Sequence, residues 1–99
     1  MYELKASREV EQELKSLPAY YRRKIVDAVQ TQLRYEPMTP TRNRKQLVGL
    51  LPPWDAEPPV WELRVEEYRV FYDVDEAKRI VYIRAVRGKP AGKTTEEIL

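Results

Sequence analysis

WELRVEEYRVFYDVD, residues 61–75, is the stretch whose reading decides the fold. From Val60 onward apolar residues recur at every second position, the period of a half-buried β-strand. VWELRV alternates, as does YRVFYDV, and RIVYIRAV at 79–86 alternates less cleanly. Short polar turns around Glu66–Glu67 and Asp75–Lys78 separate the three runs, so the simplest arrangement is an antiparallel three-stranded meander. One phase of the meander is apolar: Trp61, Leu63 and Val65, then Val70, Tyr72 and Val74, then Val81, Ile83 and Ala85. The other phase carries Glu62 and Arg64, Arg69 and Phe71, then Tyr82 and Arg84.

Upstream of the meander the period is helical. Met1 to Lys5 reads as a short edge strand with Tyr2 and Leu4 on one face. Ser7 then stands where an N-cap belongs, and Val10, Leu14 and Leu17 follow at helical spacing. Pro18 ends that helix. A second starts near Ala19 with Ile25, Val26, Val29 and Leu33 as its apolar stripe, and its limit is Glu36, because Pro37 disfavours helical geometry before it. Two helices joined by one proline turn predict an antiparallel hairpin. Residues 37–60 hold six of the eight prolines, yet Leu47, Leu50, Leu51 and Trp54 argue that part of this connection packs down, against the core end or a partner. A connection this long inside a compact domain is usually functional or mobile. Gly88, Pro90 and Gly92 end the sheet, and the tail carries only a weak helical signal over Thr94 to Leu99.

Together these elements predict an α+β domain over residues 1–99, an N-terminal helical hairpin packed on one face of a small antiparallel β-sheet. If the helices cover the apolar phase, the other face is open. It presents three arginines from three neighbouring strands, interleaved with two aromatic rings. Arginine forks hold phosphates bidentately, and exposed rings stack on unpaired bases. The same residues also fit an ordinary solvated face on which Glu62, Arg64 and Arg69 form cross-strand ion pairs.

Composition narrows the chemistry. The 99 residues carry 18 Lys plus Arg against 16 Asp plus Glu, a net charge of +2. That small value hides segregation: residues 37–54 and 77–93 hold bases and no acid, whereas 55–76 hold eight acids and two bases. Acid-free basic segments are the footprint expected of a polyanion binder. Cysteine and histidine are both absent, which excludes disulfides, zinc fingers, Cys nucleophiles and every imidazole acid or base. Asp73, Asp75 and Glu76 lack the glycine and terminal glutamate of a calcium loop, so they read as a polar turn and no metal site is expected. No apolar run approaches the ~18 residues of a membrane span, and no secretory pattern opens the chain. A reducing, cytoplasmic setting fits.

Several of these stretches form a recognisable set. The helical "LP…R…I", "RKQLVG" at 44–49, WELRVEEYRVFYDVD at 61–75 and IVYIRAVRGK at 80–89 resemble the RelE/ParE toxin superfamily across nearly the whole chain. The resemblance implies the toxin of a type II toxin–antitoxin pair, with a cognate antitoxin as protein partner. One branch of that superfamily cleaves mRNA in the ribosomal A site and needs no metal or other cofactor. Another branch poisons DNA gyrase, and a non-catalytic antitoxin-binding member is a third expectation.

For the endonuclease branch, the resemblance implies Arg69 as the arginine that stabilises the phosphate in flight. It implies Lys89, or Arg87 two residues earlier, as the group aiding leaving-group protonation. Arg42, Arg44 and Lys45 resemble a basic loop that grips RNA backbone. Arg64, Arg84, Phe71 and Tyr82 complete the expected RNA face. Val60 and Glu62 stand where the best-known RNase type carries two lysines, which leaves Glu62 as the one candidate base on that face. A terminal-helix tyrosine of that subtype is also missing, with Thr95 near its place.

Overall fold

The computed structural model describes residues 1–99. The alternating runs pair as expected. β3 (Trp61–Val65) and β4 (Tyr68–Asp75) form an antiparallel hairpin, and β4 pairs antiparallel with β5 (Ile80–Gly88). Two further strands flank the meander. β1 (Glu3–Ala6) lies parallel to β5, and β2 (Arg44–Gln46) lies antiparallel to β3, giving a five-stranded sheet in the order β1-β5-β4-β3-β2. The sheet is therefore mixed, with one parallel edge.

Between β1 and β2 run α1 (Arg8–Lys15) and α2 (Ala19–Ala28), the latter continued by a π-helical turn over Val29–Leu33. The Ser7 hydroxyl accepts from the Val10 amide at 3.2 Å, satisfying one of the donors that a helix start leaves orphaned. Val10, Ile25 and Leu33 are buried against Leu63, Val70, Tyr72, Val81 and Ile83 in a single core. Each such side chain contributes about 1.5–3 kcal/mol on burial. The Tyr72 hydroxyl crosses this core to donate to the Pro37 carbonyl at 2.6 Å, and burial pushes its pKa above the ordinary phenol value.

The strand phases hold except at one point. Phe71 pairs with Ala85 but Tyr72 pairs with Ile83, so β5 carries one extra residue, Arg84, at a β-bulge. The bulge reverses the facing of the residues after it. Val86 joins the core and Ala85 lies with Phe71 on the opposite face, correcting the placement of Ala85 in the core-facing set. No helix of the fold is long and apolar enough to cross a membrane.

Candidate nucleic-acid interface

The face turned away from α1 and α2 is not open along its whole length. Residues from the long connection fold back over it, and the Trp54 ring packs on Phe71 with centroids 5.5 Å apart. Phe71 has no exposed surface, so it is core rather than a platform for bases. Its neighbours are similarly engaged. Asp73 is fully buried and binds Arg84 bidentately, at 2.7 Å to Nε and 3.0 Å to Nη2. The hydrogen bond from Arg84 to this carboxylate holds the guanidinium pKa above its ordinary value. Arg84 also stacks on Tyr82, 4.7 Å from the ring centroid.

Arg87 is drawn to the sheet edge. β1 ends its pairing at Ile83, so beyond it β5 is open on that side, and the Glu13 carboxylate of α1 accepts from the Val86 amide at 3.1 Å and from the Arg87 guanidinium. The Trp54 ring covers Arg87 from the other side at 5.4 Å. Arg44 also departs from expectation. It pairs with Leu63, on the core side of β2, and its guanidinium donates to the Glu36 carbonyl and approaches the Glu36 carboxylate at 3.4 Å. Of the expected RNA-binding residues, Phe71, Arg84 and Arg44 are thus already engaged by protein partners, as is Arg87, the alternative to Lys89 as proton donor.

What stays open is the part of the face beside β2 and the β3–β4 hairpin. A cleft of about 160 Å³ is lined by Arg42, Asn43, Arg44, Lys45, Glu62, Arg64, Arg69 and Lys89, with no apolar residue. The register explains the gathering. Lys45 lies opposite Glu62 across β2–β3, and Arg64 lies opposite Arg69 across the β3–β4 hairpin. The Arg64 amide donates to the Asn43 carbonyl at 2.7 Å, and the Lys89 amide to the Glu67 carbonyl at 2.7 Å. These backbone bonds pin the 42–45 turn and the β5 exit on either side of the hairpin.

The hairpin is itself anchored. Tyr20 donates to the Glu66 carboxylate at 3.2 Å, and the Tyr21 ring packs on Tyr68 at 5.0 Å. Hydrogen bonding to Glu67, and that residue's charge, push the Tyr21 phenol up to about 12. The turn needs a left-handed residue, supplied by Glu66 at φ +53°. Its carbonyl then accepts from Arg69 Nη1 at 3.0 Å, as does the Tyr68 carbonyl at 2.9 Å.

Arg69 is 9% exposed, but its cover is its own hairpin and Glu62, not the helices. Its Nη1 is held by carbonyls and Nε faces Glu62 at 3.7 Å, while Nη2 has no protein partner. Desolvation lowers the Arg69 pKa, Glu62 opposes that shift, and Arg64 adds to it. A buried guanidinium with one unoccupied nitrogen, beside a second arginine, suits an incoming phosphate.

Glu62 is the one acid of the cleft and is 3% exposed. A buried carboxylate is costly unless compensated. Lys45 Nζ at 3.5 Å, Arg69 Nε at 3.7 Å and the Thr95 hydroxyl, donating at 2.7 Å, supply the compensation. Thr95 opens α3 (Thr95–Ile98), whose N-cap Thr94 forms a reciprocal capping box with Glu97. The short tail helix thereby lies over Glu62. Arg42, Arg64 and Lys89 make no ion pair, so three cations of the lining carry uncompensated charge. No three acidic side chains gather closely enough to hold a metal ion.

The sequence marks Thr95 only as a stand-in and gives Glu13 no role. Neither tie has a local signal, since Thr95 lies 33 residues from Glu62 and Glu13 lies 74 from Arg87.

Residues 4–89 match the family model described as ParE toxin of type II toxin-antitoxin system, parDE. The chain belongs to this RelE/ParE family of type II toxin–antitoxin toxins. Among solved structures, the archaeal RelE–RelB complex from Pyrococcus horikoshii OT3 is similar at a TM-score of 0.71 and 26% identity, covering 94% of this chain and 98% of that one. RelBE2 of Mycobacterium tuberculosis matches at 0.69 and 21% identity, over 89% of this chain and 98% of that one. The isolated E. coli RelE toxin matches at 0.69 and 21% identity, over 96% and 89%. These last two likenesses concern the fold. No curated protein sequence matches the chain.

Proposed function

We propose that this toxin is a ribosome-dependent, metal-independent mRNA endonuclease that inhibits translation, acting as one domain over residues 1–99 in the cytoplasm. The observation that carries this reading is the wholly polar cleft in which Arg42, Lys45, Arg64, Arg69 and Lys89 converge around one carboxylate. Cleavage by the RNA's own 2′-hydroxyl needs a proton acceptor, cations around the pentavalent phosphate and a donor for the leaving oxygen. Arg69 is the transition-state cation, with its free Nη2 directed to a phosphoryl oxygen. Lys89 is the donor to the leaving oxygen. Arg42 and Arg64 hold the flanking backbone phosphates. Glu62 serves the proton-acceptor side.

A cognate antitoxin is the expected protein partner, in keeping with the RelE–RelB and RelBE2 assemblies that resemble this chain. A gyrase-directed action is the second reading. It is favoured by one feature: Phe71, Arg84 and Arg87 are engaged within the protein, which leaves an RNA face smaller than the sequence suggested.

Primer extension on a defined mRNA in a purified translation system separates the two. Ribosome-dependent new 5′ ends with wild type, lost with Arg69→Ala, support the endonuclease. Intact mRNA together with inhibited supercoiling by gyrase overturns it in favour of the second reading.

A further inference from the structure

The cleft has few groups able to move a proton. Four of its eight lining residues are arginines, which keep their protons, and Asn43 does not titrate. Lys45, Lys89 and Glu62 remain. Glu62 is shut away from the open cleft: its side chain is 4% exposed, whereas Lys45 is 65% exposed. Its two oxygens are also differently used. Oε1 accepts from Thr95 Oγ1 at 2.7 Å and lies 3.7 Å from Arg69 Nε, while Oε2 faces Lys45 Nζ at 3.5 Å. The carboxylate is thus fixed at one oxygen and offers the other to a lysine that substrate can reach.

We propose that Lys45 is the residue that takes the proton from the RNA 2′-hydroxyl, and that Glu62 acts through it as a positioning residue that stabilises the ammonium formed. This assignment rests on the endonuclease reading and replaces, within it, direct action by Glu62. Lys45 enters the step as the free amine, held toward the cleft by Glu62 Oε2 at 3.5 Å. That amine takes the 2′-hydroxyl proton as the 2′-oxygen bonds to the adjacent phosphorus. The bond from phosphorus to the 5′-oxygen breaks, its electron pair stays on that oxygen, and the Lys89 ammonium protonates it. The products are a 2′,3′-cyclic phosphate and a 5′-hydroxyl, with one proton gained by Lys45 and one lost by Lys89. β2 therefore supplies the amine that position 62 of β3, being Glu62, cannot.

The chain has no cysteine, so Lys45→Cys creates a unique thiol at an exposed position. Alkylation with 2-bromoethylamine restores a primary amine. Alkylation with (2-bromoethyl)trimethylammonium restores only a fixed positive charge. Single-turnover mRNA cleavage on programmed ribosomes is then compared at matched ribosome occupancy.

Lys45→Cys is expected to lose ~100-fold in rate, the scale of general-base catalysis. The aminoethylated protein should recover to within about tenfold of wild type, and the trimethylammonium form should stay at the Lys45→Cys rate although it binds ribosomes as well. Glu62→Gln should slow wild type and the aminoethylated protein but not slow the trimethylammonium form further, the non-additivity of two groups acting in series. Equal recovery with both alkylating agents would overturn the assignment, because Lys45 would then act by charge alone, and the endonuclease reading would stand. A wild-type protein that occupies ribosomes and leaves mRNA intact would refute the endonuclease reading, and this assignment with it.

Discussion

The outward face of the sheet has two ends built from the same kinds of residue and put to opposite uses. At the β4–β5 end, Arg84 and Arg87 are each matched to a carboxylate, Asp73 and Glu13, and Phe71 is sealed under Trp54. At the β2–β3–β4 end, one carboxylate serves two cations, and Arg42, Arg64 and Lys89 go unmatched. An arginine in a strand phase is therefore not by itself evidence of a binding face. The acid within reach decides, because a pair neutralised inside the fold offers nothing to a phosphate, whereas an excess of cations does.

The sharpest way to break this contrast is at Phe71. If it is core, Phe71→Ala should destabilise the protein by about 4 kcal/mol, measured by urea unfolding. A loss of RNA affinity without a loss of stability would return Phe71 to the binding face. Next is the buried pair. Asp73→Asn leaves Arg84 uncompensated and should cost about 3 kcal/mol, less than a fully buried pair would suggest because Arg84 is a quarter exposed.

At the open end the effects should reverse in kind. Arg64→Gln should leave stability within about 0.5 kcal/mol and reduce the slope of log affinity against log salt by about 1, read by RNA titration at several ionic strengths. The smallest effect concerns the tail. Hydrogen bonding to Thr94 holds the Glu97 pKa below the ordinary carboxylate value. Its contribution to α3 is therefore complete above the unfolded carboxylate pKa and fades as pH falls through the folded one. Faster amide exchange at Glu97 in acid, corrected for the intrinsic rate, would report that loss, and protection unchanged through that range would exclude it.

These contrasts also mark what the sequence made legible. The alternating runs of 61–75 placed the hairpin and its two phases, because side-chain facing in a strand follows directly from parity. Ser7, Pro18 and the stripe through Ile25, Val29 and Leu33 placed the helices by local rules of equal strength. β2 escaped because a three-residue strand of Arg44, Lys45 and Gln46 has no apolar alternation to read. The bulge at Arg84 left a faint trace, since Ala85–Val86 puts two apolar residues in succession where alternation allows one. Asp73 does not belong to a polar turn with Asp75 and Glu76, as its spacing suggests, but is buried within β4; a carboxylate sharing a strand face with Phe71 implies a buried partner. Trp54 over Phe71 and Thr95 on Glu62 join residues far apart in the chain, and no local pattern encodes such contacts.

Arg69 and Arg84 tested side by side probe the division of this face most directly. Both would be replaced by alanine and assayed for single-turnover mRNA cleavage on ribosomes, at a temperature where unfolding curves show both variants folded. Arg69→Ala is expected to lose ~100- to 1000-fold in cleavage, the scale of removing one transition-state donor, while Arg84→Ala melts earlier yet cleaves at the wild-type rate. Cleavage lost with Arg84→Ala and retained with Arg69→Ala would contradict that division.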